Sequence, residues 1–179
     1  RSILIASRVG NISLLIPMVS SLNEVRKVKS LVEETKLDLK KENIPFDNNI
    51  KIGAMIEIPS AAVMTELFAD EMDFLSIGTN DLIQFLLAVD RGNDIVSPLY
   101  QEFHPSVIRT IKYILSNTKK INNKKVSLCG EMAADIFATP LLVGLGLKSF
   151  SVSPSAIPYL KQIILNLSFN KAEELANKC

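Results

Sequence analysis

Apolar and polar positions alternate along this chain in two rhythms. Five short runs are almost continuously apolar: SLLIPMV at 13–19, IKIGAMIEI at 50–58, DFLSIGT at 73–79, KVSLCG at 125–130 and SFSVS at 149–153. Such runs predict parallel strands buried on both faces. Between them, apolar residues recur every three or four positions. SLNEVRKVKSLVEETKLDLKKEN sets Leu22, Val25, Val28, Leu31 and Val32 on one stripe, and Ser21 with Glu24 makes a capping box at its start. HPSVIRTIKYILSNTKK puts Pro105 in a first helical turn, ahead of a stripe of Val107, Ile108, Ile111, Ile114 and Leu115. SPSAIPYLKQIILNLS reads as a further helix, followed by a short acidic–basic end, NKAEELANK.

A β-α order repeated about five times, with no linker, predicts a single parallel α/β domain over residues 1–179 with right-handed crossovers. Two architectures satisfy it. One is an open doubly wound sheet. The other is the later part of a (β/α)8 barrel, which in full needs about 250 residues. The pattern alone leaves both open.

Composition narrows the function classes. The chain is 47% hydrophobic and 22% charged, enough to fold around a core. Twenty basic against nineteen acidic residues leave a net charge of +1, so no electrostatic footprint for nucleic acid or an anionic membrane is expected. No apolar run approaches the roughly 20 residues of a membrane span, and RSILIASRVGN is too short and interrupted for a signal peptide. The two cysteines, Cys129 and Cys179, do not make a disulfide framework, and a reducing cytoplasm fits them. One histidine, His104, rules out a multi-histidine metal site.

The candidate chemistry lies at the ends of the apolar runs, where ligands collect in both architectures. The second run carries Glu57 inside apolar sequence, the third ends in Thr79-Asn80-Asp81, the fourth in Cys129-Gly130-Glu131 and the fifth in Ser151 and Ser153. Each residue has an ordinary reading. Asn80 and Asp81 sit where a helix N-cap belongs. Glu57 could pair with a lysine or arginine of a neighbouring strand. Arg91 could end a helix with Gly92 as its C-terminal cap. Cys129 could be a small core hydrophobe, and His104 before Pro105 a helix-start residue.

On successive strand ends the same residues point to one site. Glu57 and Asp81 are two hard oxygen ligands of the kind that hold Mg2+ together with waters and substrate oxygens. A metal there would polarise a carboxylate or phosphate group. Asn80 and Arg91 supply donors, and the planar guanidinium suits phosphate or carboxylate oxygens. The Cys129 thiol, with an ordinary pKa near ~8.5, is protonated at neutral pH and fit to be a general acid. A helix starting after CGE would push it towards thiolate and nucleophile instead. The residues leave that choice open.

IEIPSA, DFLSIGTNDLIQFLLAVDRGND, LYQEFHPSV and SLCGEMAAD, in that order and spacing, resemble the C-terminal phosphoenolpyruvate-binding domain of the enzyme I family, the phosphoenolpyruvate–protein phosphotransferases of the bacterial sugar phosphotransferase system. The resemblance covers essentially the whole chain. It implies a TIM-type (β/α)8 barrel, of which this chain would hold only about the last five β/α units, strands 4–8. It implies phosphoenolpyruvate bound with Mg2+, and a dimer formed through this domain. It also implies phosphoryl transfer to a histidine on an N-terminal domain, and from there to a histidine-containing phosphocarrier protein, with release of pyruvate. Glu57 and Asp81 would be the metal ligands, Asn80 and Asp81 would touch substrate, and Arg91 would bind its phosphate. Cys129 would donate the proton that turns the enolate into pyruvate.

Departures from the family pattern are small beside the site: Ile83 where threonine is usual after GTNDL, and Ala134 where glycine is frequent. The family's phosphorylated histidine, its early barrel strands and two phosphate-binding arginines have no counterpart here. The chain is therefore expected to be part of a longer polypeptide, with exposed strand edges and weak substrate binding on its own. A piece of an ATP-using dikinase or synthase, or a non-catalytic dimerisation remnant, are the other readings.

Overall fold

The computed structural model describes residues 1–121 and 124–178; Cys179 lies outside them. In chain order the elements are α1 (Ser2–Ala6), β1 (Ser13–Ile16), α2 (Leu22–Lys41), β2 (Lys51–Ile56), α3 (Pro59–Val63), α4 (Thr65–Glu71), β3 (Phe74–Gly78), α5 (Thr79–Leu87), α6 (Pro105–Lys120), β4 (Lys125–Cys129), α7 (Glu131–Ala134), α8 (Ala138–Gly144), α9 (Ile157–Asn166) and α10 (Phe169–Lys178). The strands form one parallel sheet in the order β1-β2-β3-β4, with helical crossovers between successive strands.

Continuous apolar runs became strands because both faces of this sheet are covered. Ile52, Ala54 and Ile56 of β2 and Leu75 and Ile77 of β3 are buried on one face, and Gly53, Ser76 and Gly78 are buried on the other. Helix α6 packs with all five residues of its expected stripe buried. Fully burying each such aliphatic chain stabilises the fold by about 2 kcal/mol.

Three expectations need correction. The run at 149–153 is not a strand of its own. It reaches the sheet through a single parallel bridge, Leu128 to Phe150, with Ser151 N donating to Leu128 O at 2.8 Å. Serines at alternate positions leave this run too few apolar side chains to seat on both faces. In α2 the capping box is present, but Leu31 is 61% exposed. The buried line runs through Val25, Val32, Lys36 and Leu39, spacings of seven, four and three that Leu31 does not share. The tail at 170–178 belongs to a regular helix, α10, whose Ala172 and Ala176 are buried where it packs against α8.

Among the described residues the outer edge of β1 has no strand partner, and the sheet does not close into a barrel. No described helix is long and apolar enough to cross a membrane.

Candidate active site

All five candidate residues sit at or beyond the C-terminal ends of β2, β3 and β4. Glu57 directly follows β2 and is only 3% exposed. A buried carboxylate is costly without a partner, and no cation pairs with it among the described residues. Its Oε1 instead accepts a hydrogen bond from the backbone N–H of Met18, 2.6 Å away at the end of the β1 segment. Met18 holds a left-handed backbone, φ 54°, which costs a non-glycine residue about 1 kcal/mol. The strained residue is thus the one whose amide meets the carboxylate. Burial pushes the Glu57 carboxyl up, the Met18 N–H opposes this in part, and the nearby charge of Asp81 adds to the rise. Gly78, the last residue of β3, leaves the room Glu57 uses: a Cβ there would lie 2.6 Å from Oε2.

Asn80 and Asp81 do not cap. Helix α5 begins straight from the strand at Thr79, with Gly78 at the cap position and no side-chain cap bond. Asn80 and Asp81 are therefore inside the first turn. Asn80 Oδ1 accepts from the backbone N–H of Glu131 at 2.8 Å, and Thr79 Oγ1 donates to Cys129 O at 2.7 Å. The two bonds clamp the turn after β3 to the turn after β4. Gly130 makes the clamp possible. Its φ of +99° favours glycine, and a Cβ would stand 2.3 Å from Thr79 Oγ1 and 2.7 Å from Asn80 Oδ1.

Cys129 ends β4 opposite Gly78 and is half-buried. Its Sγ accepts from Ser76 Oγ at 3.8 Å and donates to Ile77 O at 3.5 Å. Burial pushes the thiol up from its ordinary value, the Ser76 hydrogen bond offsets this in part, and the charges of Glu57 and Asp81 push it further. Helix α7, which follows, has only four residues. Burial and the neighbouring charges both favour the thiol over the thiolate.

Arg91 lies beyond α5, which ends at Leu87 with Ala88 in the left-handed conformation as its cap. Gly92 is not the cap. The following turn carries Arg91 back towards the strand ends, where its Nη1 pairs with Glu131 Oε1 at 3.3 Å. Arg91, Gly92, Ser97, Tyr100 and Glu131 line a cavity of about 410 Å3. The Tyr100 hydroxyl is buried without a hydrogen-bond partner. Burial, then the charges of Glu102 and Glu131, push it up to about 12, so it stays a neutral phenol. His104 caps α6, its ring accepting from Ser106 N, as an ordinary helix start.

The fit to a metal follows from the donors. Among the described residues no group of three or more histidine, cysteine or acidic side chains is arranged to hold one. Two neighbouring carboxylates, one buried without a cation, fit a hard divalent ion that takes its other oxygens from water and substrate. Met18, Ser76 and Gly78 were not singled out from the sequence, and Thr79 and Gly130 were named at the strand ends without a role of their own. Ser76 carried the signal that marked Glu57, a polar side chain within an apolar run. The Met18 backbone carried none.

Comparison with known proteins bears on this arrangement. Residues 1–169 match the family described as PEP-utilising enzyme, PEP-binding domain. The chain is 49% identical over 177 residues to a phosphoenolpyruvate-protein phosphotransferase of Buchnera aphidicola subsp. Acyrthosiphon pisum. It is 45% identical over 177 residues to that of Haemophilus influenzae and 46% over 178 to that of Mycoplasma capricolum. In each case 99% of this chain is covered, but only 31% of the relative's length. Among solved structures, a citrate lyase from Burkholderia xenovorans LB400 superposes with a TM-score of 0.64 at 16% identity, over 90% of this chain and 52% of that one. That likeness concerns the fold alone.

Proposed function

Because the chain belongs to the PEP-binding domain family of PEP-utilising enzymes, we propose that its strand-end site binds phosphoenolpyruvate with Mg2+ and serves a phosphoenolpyruvate–protein phosphotransferase. The observation that carries this is Glu57, a buried carboxylate with no cation beside it among the described residues, near Asp81 and the half-buried Cys129 thiol. Glu57 and Asp81 would hold the metal, which would supply charge neutralisation at the substrate's oxygens. Arg91 binds the phosphate through its guanidinium fork. Asn80, whose carbonyl is taken by the Glu131 amide, keeps its Nδ2 donors for substrate.

The phosphoryl group leaves for a histidine outside these residues: the bridging P–O bond breaks, its electron pair stays on the enolate oxygen, and a P–N bond forms. Catalysis of that step rests on positioning and charge neutralisation. The enolate carbon then takes the proton of the Cys129 thiol, its oxygen becomes the carbonyl of pyruvate, and solvent returns a proton to sulfur. In the whole protein the phosphoryl group passes on to a histidine-containing phosphocarrier protein in the cytoplasm. The sheet continues past β1 into a (β/α)8 barrel, and the domain forms a homodimer. An ATP-using dikinase or synthase shares these motifs, but the relatives above carry the phosphotransferase name.

Titrating the full-length polypeptide with phosphoenolpyruvate, with and without Mg2+, tests the site. Binding is expected to require the metal and to be lost in Glu57→Ala and Asp81→Ala. Metal-independent binding that survives both substitutions would overturn the proposal.

A further inference from the structure

Ser76 is a buried hydroxyl, 3% exposed, in the middle of β3. A hydroxyl there costs stability unless it is hydrogen-bonded, and the bonds it makes run in one direction. Ser127, its register partner on β4, donates from Oγ to Ser76 Oγ at 3.1 Å. Ser76 donates in turn to Cys129 Sγ at 3.8 Å. The thiol's own hydrogen is directed at Ile77 O, 3.5 Å away. Because side chains alternate along a strand, Ser127 and Cys129 share one face of β4. Ser76 faces them from β3, so the line of hydroxyls ends on the sulfur.

That direction matters when the thiol gives up its proton. The S–H bond breaks and its electron pair stays on sulfur, while a C–H bond forms at the enolate carbon. The sulfur is left as an anion, and it needs a donor. The Ser76 hydroxyl is the side-chain donor already aimed at it, and a hydrogen bond to an ionised acceptor is about twice as strong as one to a neutral acceptor. Ser127, by donating to Ser76, holds the Ser76 oxygen so that its hydrogen remains on sulfur.

We propose that Ser76, held by Ser127, is a positioning residue for proton delivery, fixing the Cys129 sulfur and stabilising the thiolate left when its proton passes to the substrate carbon. This rests on Cys129 being the acid of the proposed function. No part of it requires Ser76 to touch substrate.

The test compares Ser76→Ala, Ser127→Ala and Cys129→Ala in the full-length polypeptide. Three quantities are read: phosphoenolpyruvate affinity with Mg2+, incorporation of solvent deuterium into pyruvate, and the pH profile of iodoacetamide alkylation, followed by mass on the peptide carrying Cys129. Ser76→Ala is expected to leave affinity within about twofold, slow deuterium delivery roughly tenfold and move the alkylation profile to higher pH. Ser127→Ala should shift both the same way but less, and it serves if Ser76→Ala does not fold. A purely structural role for Ser76 would change affinity and leave the alkylation profile where it was, overturning the proposal. If Cys129→Ala stops deuterium delivery while both serine variants match wild type, this inference falls and the proposed function stands. If Cys129→Ala delivers deuterium at the wild-type rate, the acid role fails and this inference falls with it.

Discussion

At the scale of single residues, the acidic groups around the site are held against their preference. Glu102 is a clear case away from the proposed metal ligands. Burial first, then the charges of Asp135 and Glu131, keep its carboxyl above the ordinary value. A raised folded-state pKa means that the native chain keeps this proton to higher pH than the unfolded chain does. Stability therefore falls as pH rises from the ordinary glutamate value near ~4.3 through the raised one. Glu102→Gln should remove that slope, making the protein more stable at pH 7 by under about 1 kcal/mol and leaving it unchanged below about pH 4. Urea unfolding of both proteins across this range checks the sign; a variant less stable at pH 7 would refute it. Single residues were also where the sequence was most legible. Glu57 stood out because a carboxylate in an apolar run has no local excuse, and it is buried with no cation beside it among the described residues. Ser76 passed unnoticed because a serine in a strand is common, and only the register with Ser127 and Cys129 shows what it touches.

The elements were legible where periodicity decides them and less so where a junction does. Helix α6 holds its whole stripe in the core, and α2 keeps its capping box. The misreadings lie at helix ends. GTND resembles a cap because Asn and Asp are good cap residues, but β3 runs into α5 without a loop, so the pair falls inside the first turn. DRGN resembles a glycine-capped end, yet the helix stops earlier, where Val89 N returns to Gln84 O at 2.9 Å past a left-handed Ala88. What fixes these junctions is contact between them, which no single stretch encodes. One such contact is Gly130 against Thr79 and Asn80. Gly130→Ala is expected to cost about 2 kcal/mol or more, from a strained φ and a methyl group driven into the clamp. It should also free the end of β4, so that alkylation of Cys129 changes in rate. Unfolding by urea, with alkylation measured alongside, is the check. An alanine variant as stable as wild type, with Cys129 alkylated at the same rate, would mean that the turn has other ways to close.

For the molecule as a whole, the parallel α/β class followed from apolar runs alternating with amphipathic segments, and four of those runs are the strands of the sheet. What the runs did not decide is closure. The outer edge of β1 offers backbone groups that no described strand takes up, and α9 leaves Tyr159 66% and Leu165 84% exposed. Unpaired edges and apolar helix faces invite association with other polypeptide. The chain spans 31% of the length of its relatives, which therefore carry polypeptide beyond the part matched here. Substrate geometry bears on the same question: among the described residues Arg91 is the arginine lining the cavity beside Glu131, and it is already paired with that carboxylate. On the proposed function, a phosphate held by one such arginine, in a site open towards β1, is held weakly. The 179 residues alone are therefore expected to bind phosphoenolpyruvate at least about 100-fold more weakly than the full-length protein, a difference of roughly 3 kcal/mol. They should also self-associate as concentration rises. Calorimetric titration of both forms, with circular dichroism showing that the short one is folded, decides it. Equal affinities would mean that the ends of these strands already hold every group the substrate needs, and that a closed barrel adds stability without adding binding.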